Sequence, residues 1–124
     1  EPYLPLEVQS SFAAVGSVSA FVIFFMVLLR LLSLVPALAV LPPLPRAALF
    51  GFMEMTNGVN ALPATRAGFV LCAAIMNWGG LSVQAQTRAM LAGSALSARR
   101  CVIGKAVQAL VGVPLALLAA QRLF

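Results

Sequence analysis

The chain contains no histidine and only three acidic residues, Glu1, Glu7 and Glu54, among its 124 residues. Histidine is the commonest metal ligand and the usual general base, so the chain lacks the residue on which most metal sites and many catalytic sites are built. No second acid lies near Glu54, Ser82 has no candidate base beside it, and no glycine-rich phosphate loop is present. We therefore expect no catalytic residue, no bound metal and no resident cofactor.

Charge of either sign is also scarce. Charged residues make up 9% of the chain and hydrophobic residues 62%, with a mean hydropathy of +1.03. A typical soluble domain is about 25% charged and about 45–50% apolar. Because a chain this short buries only a modest share of its surface, a soluble form would expose much apolar area to water. The composition predicts a membrane protein with the lipid bilayer as its first partner.

The net charge of +5 comes from eight Lys and Arg residues. They are scattered through apolar sequence, which is typical of residues that flank membrane helices and does not indicate nucleic-acid binding. A role in attracting an anionic solute is the open alternative.

The hydropathy pattern predicts an all-α, polytopic membrane protein. Residues 1–10 are polar and contain two prolines, so they are assigned to an N-terminal loop. A transmembrane helix is predicted over 11–35, because residues 11–29 carry no charge and would extend about 28 Å, close to the hydrocarbon thickness. Four prolines between 36 and 45 predict a stiff connector.

A broken helix is predicted over 46–65. Its short apolar half runs into Glu54-Met55-Thr56-Asn57-Gly58, a polar run that does not suit a lipid-facing span. A carboxylate inside a membrane is costly and indicates function. Glu54, Thr56 and Asn57 are the candidate ion-coupling residues, for a sodium ion or a proton. The structural alternative is an ion pair between Glu54 and a buried arginine.

A re-entrant hairpin is predicted over 66–93, turning on the glycine pair that follows Asn77 and Trp78, and a transmembrane helix over 98–121. The hairpin places Arg66 and Arg88 on the same side of the membrane. The competing interpretation is one continuous, broken helix that places them on opposite sides. With the hairpin, five basic residues lie on one side and three on the other, which weakly favours the cytoplasm for the larger group.

Two helix breaks lie close together in the sequence, one at Glu54 and one at the glycine pair. Irregular backbone at membrane depth is tolerated only where it is packed in protein or lines a watery cavity, and paired breaks indicate a transporter site. The candidate substrate-binding residues surround the second break: Asn77, Gly79, Gly80, Ser82, Gln84 and Gln86. Interhelical hydrogen bonding without a ligand is the alternative for the polar members.

Residues 54–58 and 79–86, spaced in this way, resemble the C-terminal part of the sporulation integral membrane protein YlbJ family, which carries the nucleoside-recognition or Gate domain. The resemblance covers about 44–118. It implies a multi-pass membrane protein of endospore formers, built from two inverted Gate-type repeats, that moves dipicolinic acid across the outer forespore membrane. By motif position, binding of solute and ion falls on Glu54, Thr56, Asn57, Gly80, Ser82 and Gln84.

The length of the chain leaves room for only one Gate-type repeat, assigned to 46–124. A missing N-terminal repeat of the same protein is therefore an expected partner, and we expect membrane segments ahead of Glu1. Assembly with further copies of the chain is left open. The favoured function is part of a secondary transporter for a small anionic metabolite. The alternatives are a carrier for nucleosides or another neutral solute, and a sporulation scaffold that transports nothing.

Overall fold

The computed structural model describes residues 4–124, and every regular element in that range is a helix. The helices, in chain order, are α1 (Leu4–Leu32), α2 (Pro36–Ala39), α3 (Pro43–Met53), α4 (Met55–Asn60), α5 (Arg66–Trp78), α6 (Gly80–Leu91) and α7 (Ala98–Leu123). Three segments are long and apolar enough to cross a membrane: Pro5–Leu32, Arg66–Leu91 and Ala98–Leu123. The chain is therefore an all-α protein of the multi-pass membrane type.

The first helix begins earlier than the sequence predicts. The N-terminal loop assigned to 1–10 is wrong for residues 4–10, which belong to α1, and residues 1–3 lie outside the described part of the chain. Pro5 does not block the helix, because in the first turn its missing N–H would have had no partner. The helix ends at Leu32 rather than at residue 35, with Pro36 four residues beyond.

The proline-rich connector predicted over 36–45 is partly helical. Pro36 opens the short α2, and Pro43 opens α3 within the segment assigned to the connector. Proline favours the first turn of a helix because its φ is already helical. The prolines therefore begin helices here as well as ending them.

The tight reversal of the chain lies between α3 and α4, in the segment predicted as a broken helix. These two helices pack against each other, and a Cβ atom built on Gly58 of α4 would collide with the backbone of Gly51 and approach the carbonyl oxygen of Ala47. Helix axes approach this closely only where small residues face each other. We call α3, Glu54 and α4 together the helical hairpin.

The re-entrant hairpin predicted over 66–93 is wrong, and the continuous broken helix is the correct alternative. α5 and α6 do not pack side by side; α7 runs antiparallel along both of them. Phe69 near the start of α5 meets Phe124 after the end of α7, whereas Arg88 of α6 shares a groove with Arg99 at the start of α7. Arg66 and Arg88 therefore lie at opposite ends of one span.

This correction changes the distribution of charge. Arg30, Arg46, Arg66 and Arg122 lie towards one end of the bundle, and Arg88, Arg99, Arg100 and Lys105 lie towards the other. The five-to-three division becomes four to four because Arg66 changes ends. Counting basic residues therefore no longer favours either orientation.

The core of the bundle is small, and most large apolar side chains face outward. Phe25, Leu29 and Ile75 are buried, whereas Phe12, Ile23 and Leu110 are more than half exposed. In water such a surface would be unfavourable, but in a bilayer it contacts lipid chains. The exposed surface therefore fits the lipid contact that the composition predicts.

The path of α5 and α6 can be tested by labelling from the two sides of the membrane. In a chain with Cys72→Ala and Cys101→Ala, we expect Arg66→Cys and Arg88→Cys to react with a membrane-impermeant maleimide from opposite sides. The measurement is labelling in sealed vesicles of both orientations. Labelling of both positions from the same side would restore the re-entrant hairpin.

Candidate functional site

Glu54 forms the turn between the two arms of the helical hairpin. Its extended backbone, with φ −144° and ψ 119°, ends α3. Its carboxylate then accepts hydrogen bonds from the main-chain N–H groups of Thr56, at 3.0 Å, and Asn57, at 2.8 Å. The side-chain amide of Asn57 donates a third bond of 2.7 Å. One buried side chain therefore provides acceptors for the first turn of α4, whose N–H groups have no partner within their own helix.

The structural alternative for Glu54, an ion pair with Arg66 or Arg88, does not occur in the described part of the chain. All hydrogen bonds to its carboxylate come from α4. Within residues 4–124 there is no cluster of three His, Cys, Asp or Glu side chains. Glu54 is thus held by neutral donors, and its charge is balanced locally only by the aligned N–H groups of a helix terminus.

The second break, between α5 and α6, lies directly against this turn. Gly79 and Gly80 have φ values of +82° and +81°, in the left-handed region that glycine enters without steric cost. A Cβ atom on Gly80 would lie 3.0 Å from the main-chain nitrogen of Met55 and 3.1 Å from the carbonyl oxygen of Met53. Glycine therefore lets the α5–α6 junction touch the tip of the helical hairpin.

Two side chains satisfy carbonyl groups that the breaks leave free. The indole N–H of Trp78 donates to the carbonyl oxygen of Phe52 at 3.1 Å, and the two rings stack with centroids 5.4 Å apart. The side-chain amide of Gln84 donates across the junction to the carbonyl oxygen of Trp78, also at 3.1 Å. Unsatisfied backbone groups in hydrocarbon cost several kcal/mol each, so these contacts stabilise both breaks.

The remaining predicted substrate residues do not converge on one pocket. Ser82 is 1% exposed and accepts a 3.2 Å hydrogen bond from the Gln86 amide, one turn along the same face of α6. Gln84 lies on a different face of α6, in a groove with α1 and α7. Asn77 donates to the carbonyl oxygen of Ala73 at 2.8 Å, and its amide contacts Gly112 of α7.

A groove of about 380 Å³ lies beside the helical hairpin, between α1 and α3–α4. Its polar lining consists of Arg30, Ser33, Arg46 and Asn57, the last of which also binds the Glu54 carboxylate. The Arg46 guanidinium lies 5.4 Å from the centre of the Phe50 ring. We call this the hairpin groove. The Ser33 hydroxyl already donates to the carbonyl oxygen of Arg30 at 2.7 Å, so the two cationic side chains are the groups there that suit an anionic solute.

The sequence prediction missed Arg30 and Arg46 as site residues and assigned them to the membrane boundary. The one local signal is the spacing of Arg46 and Phe50, one helical turn apart, which permits a cation–π contact. Nothing local links Arg30 to Arg46, because the path of the chain through 33–42 decides that they meet.

Comparison with models of protein families, with curated protein sequences and with solved structures gives no match to this chain. The function is therefore inferred from the geometry of its own side chains.

Gly80 and Gly93 form a matched pair for testing the contact between the two breaks. Both have a φ near +80°, but a Cβ atom on Gly93 meets nothing within 4 Å. We expect Gly93→Ala to lose about 1–2 kcal/mol of unfolding free energy from the backbone conformation alone. Gly80→Ala should lose about 1–3 kcal/mol more from overpacking against Met53 and Met55. The measurement is thermal unfolding of both variants in the same detergent, and equal losses would contradict the contact.

Proposed function

We propose that the chain is part of a sporulation-associated secondary membrane transporter for a small anionic metabolite, with its solute site at the hairpin tip and in the hairpin groove. The supporting observation is the contact between two helix breaks, where Gly80 lies against Glu54. Such breaks inside a bundle are typical of transporter sites, where freed backbone groups and polar side chains can exchange partners with a solute.

The positive charge of the hairpin groove favours an anionic solute. Arg30 and Arg46 line the hairpin groove, and the nearest carboxylate, that of Glu54, is already bonded to Thr56 and Asn57. A hydrogen bond to a charged group contributes about 1.5–3 kcal/mol, and a guanidinium can bind a carboxylate with two parallel bonds. A carboxylated solute therefore has matched donors in this groove.

Dipicolinic acid is the solute that the resemblance to the YlbJ family favours, and the outer forespore membrane is the corresponding location. A flat pyridine carrying two carboxylates could bind the two arginines while its ring lies near Phe50. Because such a solute is a dianion, a coupled sodium ion or proton at Glu54 would reduce its repulsion from the carboxylate.

A non-transporting scaffold is the second candidate, and one observation favours it. The buried side-chain N and O atoms in residues 4–124 all have hydrogen-bond partners within the chain. A chain whose breaks need no ligand can serve to hold other membrane segments together.

Replacement of both groove arginines tests the proposed solute site. We expect membrane vesicles with Arg30→Gln/Arg46→Gln to take up labelled dipicolinate at least about tenfold more slowly, because two charge-assisted contacts are lost. The matched control is Arg122→Gln, an exposed arginine at the same end of the bundle on α7, which should keep more than about half of the uptake.

Each other result has a defined meaning. Unchanged dipicolinate uptake in the double variant would exclude the hairpin groove from the solute path. Uptake of an uncharged nucleoside that survives the double replacement would favour the neutral-solute carrier. Uptake no faster than in vesicles without the protein would leave the scaffold as the better function.

Replacement of Glu54 separates ion coupling from solute binding. In Glu54→Gln the side-chain oxygen can still accept a bond from α4, but the negative charge is gone. We expect exchange of dipicolinate at equilibrium to continue, while net uptake of dipicolinate no longer responds to a sodium or proton gradient. Unchanged dependence on both gradients, at normal protein level in the membrane, would contradict a coupling role.

A further inference from the structure

A second groove, of about 600 Å³, lies between α1, α6 and α7 near the end of the bundle opposite to Arg66. We call it the outer groove. Its lining combines polar side chains, Gln84, Arg88 and Arg99, with apolar ones, Phe25, Leu81 and Val102, and the two kinds are interleaved along α6 and α7. The three helices that form it belong to the three segments long enough to cross a membrane. A ligand in the outer groove would therefore approach from the lipid side.

The positive charge of the outer groove has no acidic counterpart among its lining residues. The two carboxylates in the described part of the chain are Glu7 and Glu54. Glu54 is bonded to α4, and Glu7 lies eighteen residues before Phe25 on α1, about 27 Å at about 1.5 Å per residue. Both Arg88 and Arg99 are exposed. No side-chain carboxylate of the described residues therefore lies in this groove to balance their charge.

The position of Arg99 adds to the unbalanced positive charge of the outer groove. Arg99 and Arg100 lie in the first turn of α7, and Ser97 makes no side-chain capping bond there. Cations at the N-terminus of a helix are unfavourable, because the aligned peptide dipoles make that end positive. An anion between Arg88 and Arg99 would offset both the helix dipole and the repulsion between the two guanidinium groups.

The apolar side chains in the lining of the outer groove favour one kind of anion. A small hydrophilic anion would gain nothing from Phe25, Leu81 and Val102, whereas an acyl chain would bury apolar surface against them. A phosphate group suits paired arginines, which bind its oxygens with parallel hydrogen bonds. Basic pockets between membrane helices are a recognised form of site for anionic lipid headgroups.

We propose that the outer groove binds an anionic phospholipid, with its phosphate between Arg88 and Arg99 and an acyl chain along Phe25, Leu81 and Val102. This site is separate from the hairpin groove, and it does not depend on the identity of any transported solute. It assigns Arg88 and Arg99 a ligand, where the sequence alone leaves two alternatives, markers of membrane topology and attraction of an anionic solute.

The test compares lipid binding to two double variants that lose the same charge. The chain is purified in neutral detergent, and binding of phosphatidylglycerol and of phosphatidylcholine with identical acyl chains is measured by native mass spectrometry. We expect the wild type to prefer phosphatidylglycerol by about tenfold or more, since each basic side chain near the headgroup adds to the attraction. Arg88→Gln/Arg99→Gln should reduce that preference to less than about threefold. Arg66→Gln/Arg122→Gln, on the same two spans at the opposite end, should keep it.

Equal losses of the phosphatidylglycerol preference in the two double variants would show only general charge attraction and would overturn the proposal. An unchanged preference in Arg88→Gln/Arg99→Gln would overturn it as well.

A second measurement needs only the wild type, so it is independent of how the variants fold. Phosphatidylglycerol should raise the unfolding temperature of the wild type, and inorganic phosphate at millimolar concentration should not. Stabilisation by phosphate alone would identify a soluble anion as the occupant and overturn the lipid proposal.

Discussion

The capping of α4 by the Glu54 carboxylate is the interaction on which the rest of the bundle depends. A chain that reverses inside a membrane exposes backbone N–H groups where no water can satisfy them. Glu54 provides both carboxylate oxygens to the first turn of α4 and leaves its own backbone extended. The cost of a buried charge is thereby offset by three donors, and the reversal can be made in a single residue.

Close packing then follows from small residues on both sides of the reversal. Gly51 and Gly58 let the two arms of the helical hairpin touch, and Gly51 also accommodates Ile75 of α5. Gly80 lets the α5–α6 junction contact the turn at Glu54. The Trp78 indole connects that junction to the last turn of α3 by a hydrogen bond. In lipid there is little hydrophobic drive between helices, so such contacts and internal hydrogen bonds hold a bundle together.

The same arrangement produces two basic grooves, each lined by two arginines together with apolar side chains. The hairpin groove is polar along Arg30, Ser33, Arg46 and Asn57 and adjoins the buried carboxylate. The outer groove combines Arg88 and Arg99 with Phe25, Leu81 and Val102 and is formed by the three spanning segments. We propose a carboxylated solute for the groove beside the Glu54 turn and a phospholipid for the groove between the spanning segments.

The sequence by itself determined that the protein is all-α and belongs in a membrane, because composition and apolar run length depend on no distant contact. It also located both helix breaks, since Glu54 and the glycine pair are local signals. Only the tertiary structure decided which break reverses the chain. The chain can reverse at Glu54 because Gly58 packs directly against Gly51. Gly79 and Gly80, in contrast, join the two halves of one span, and α7 packs along both halves. The pairing of Arg30 with Arg46, and of Arg88 with Arg99, is likewise a result of helix packing, which no spacing along the chain encodes.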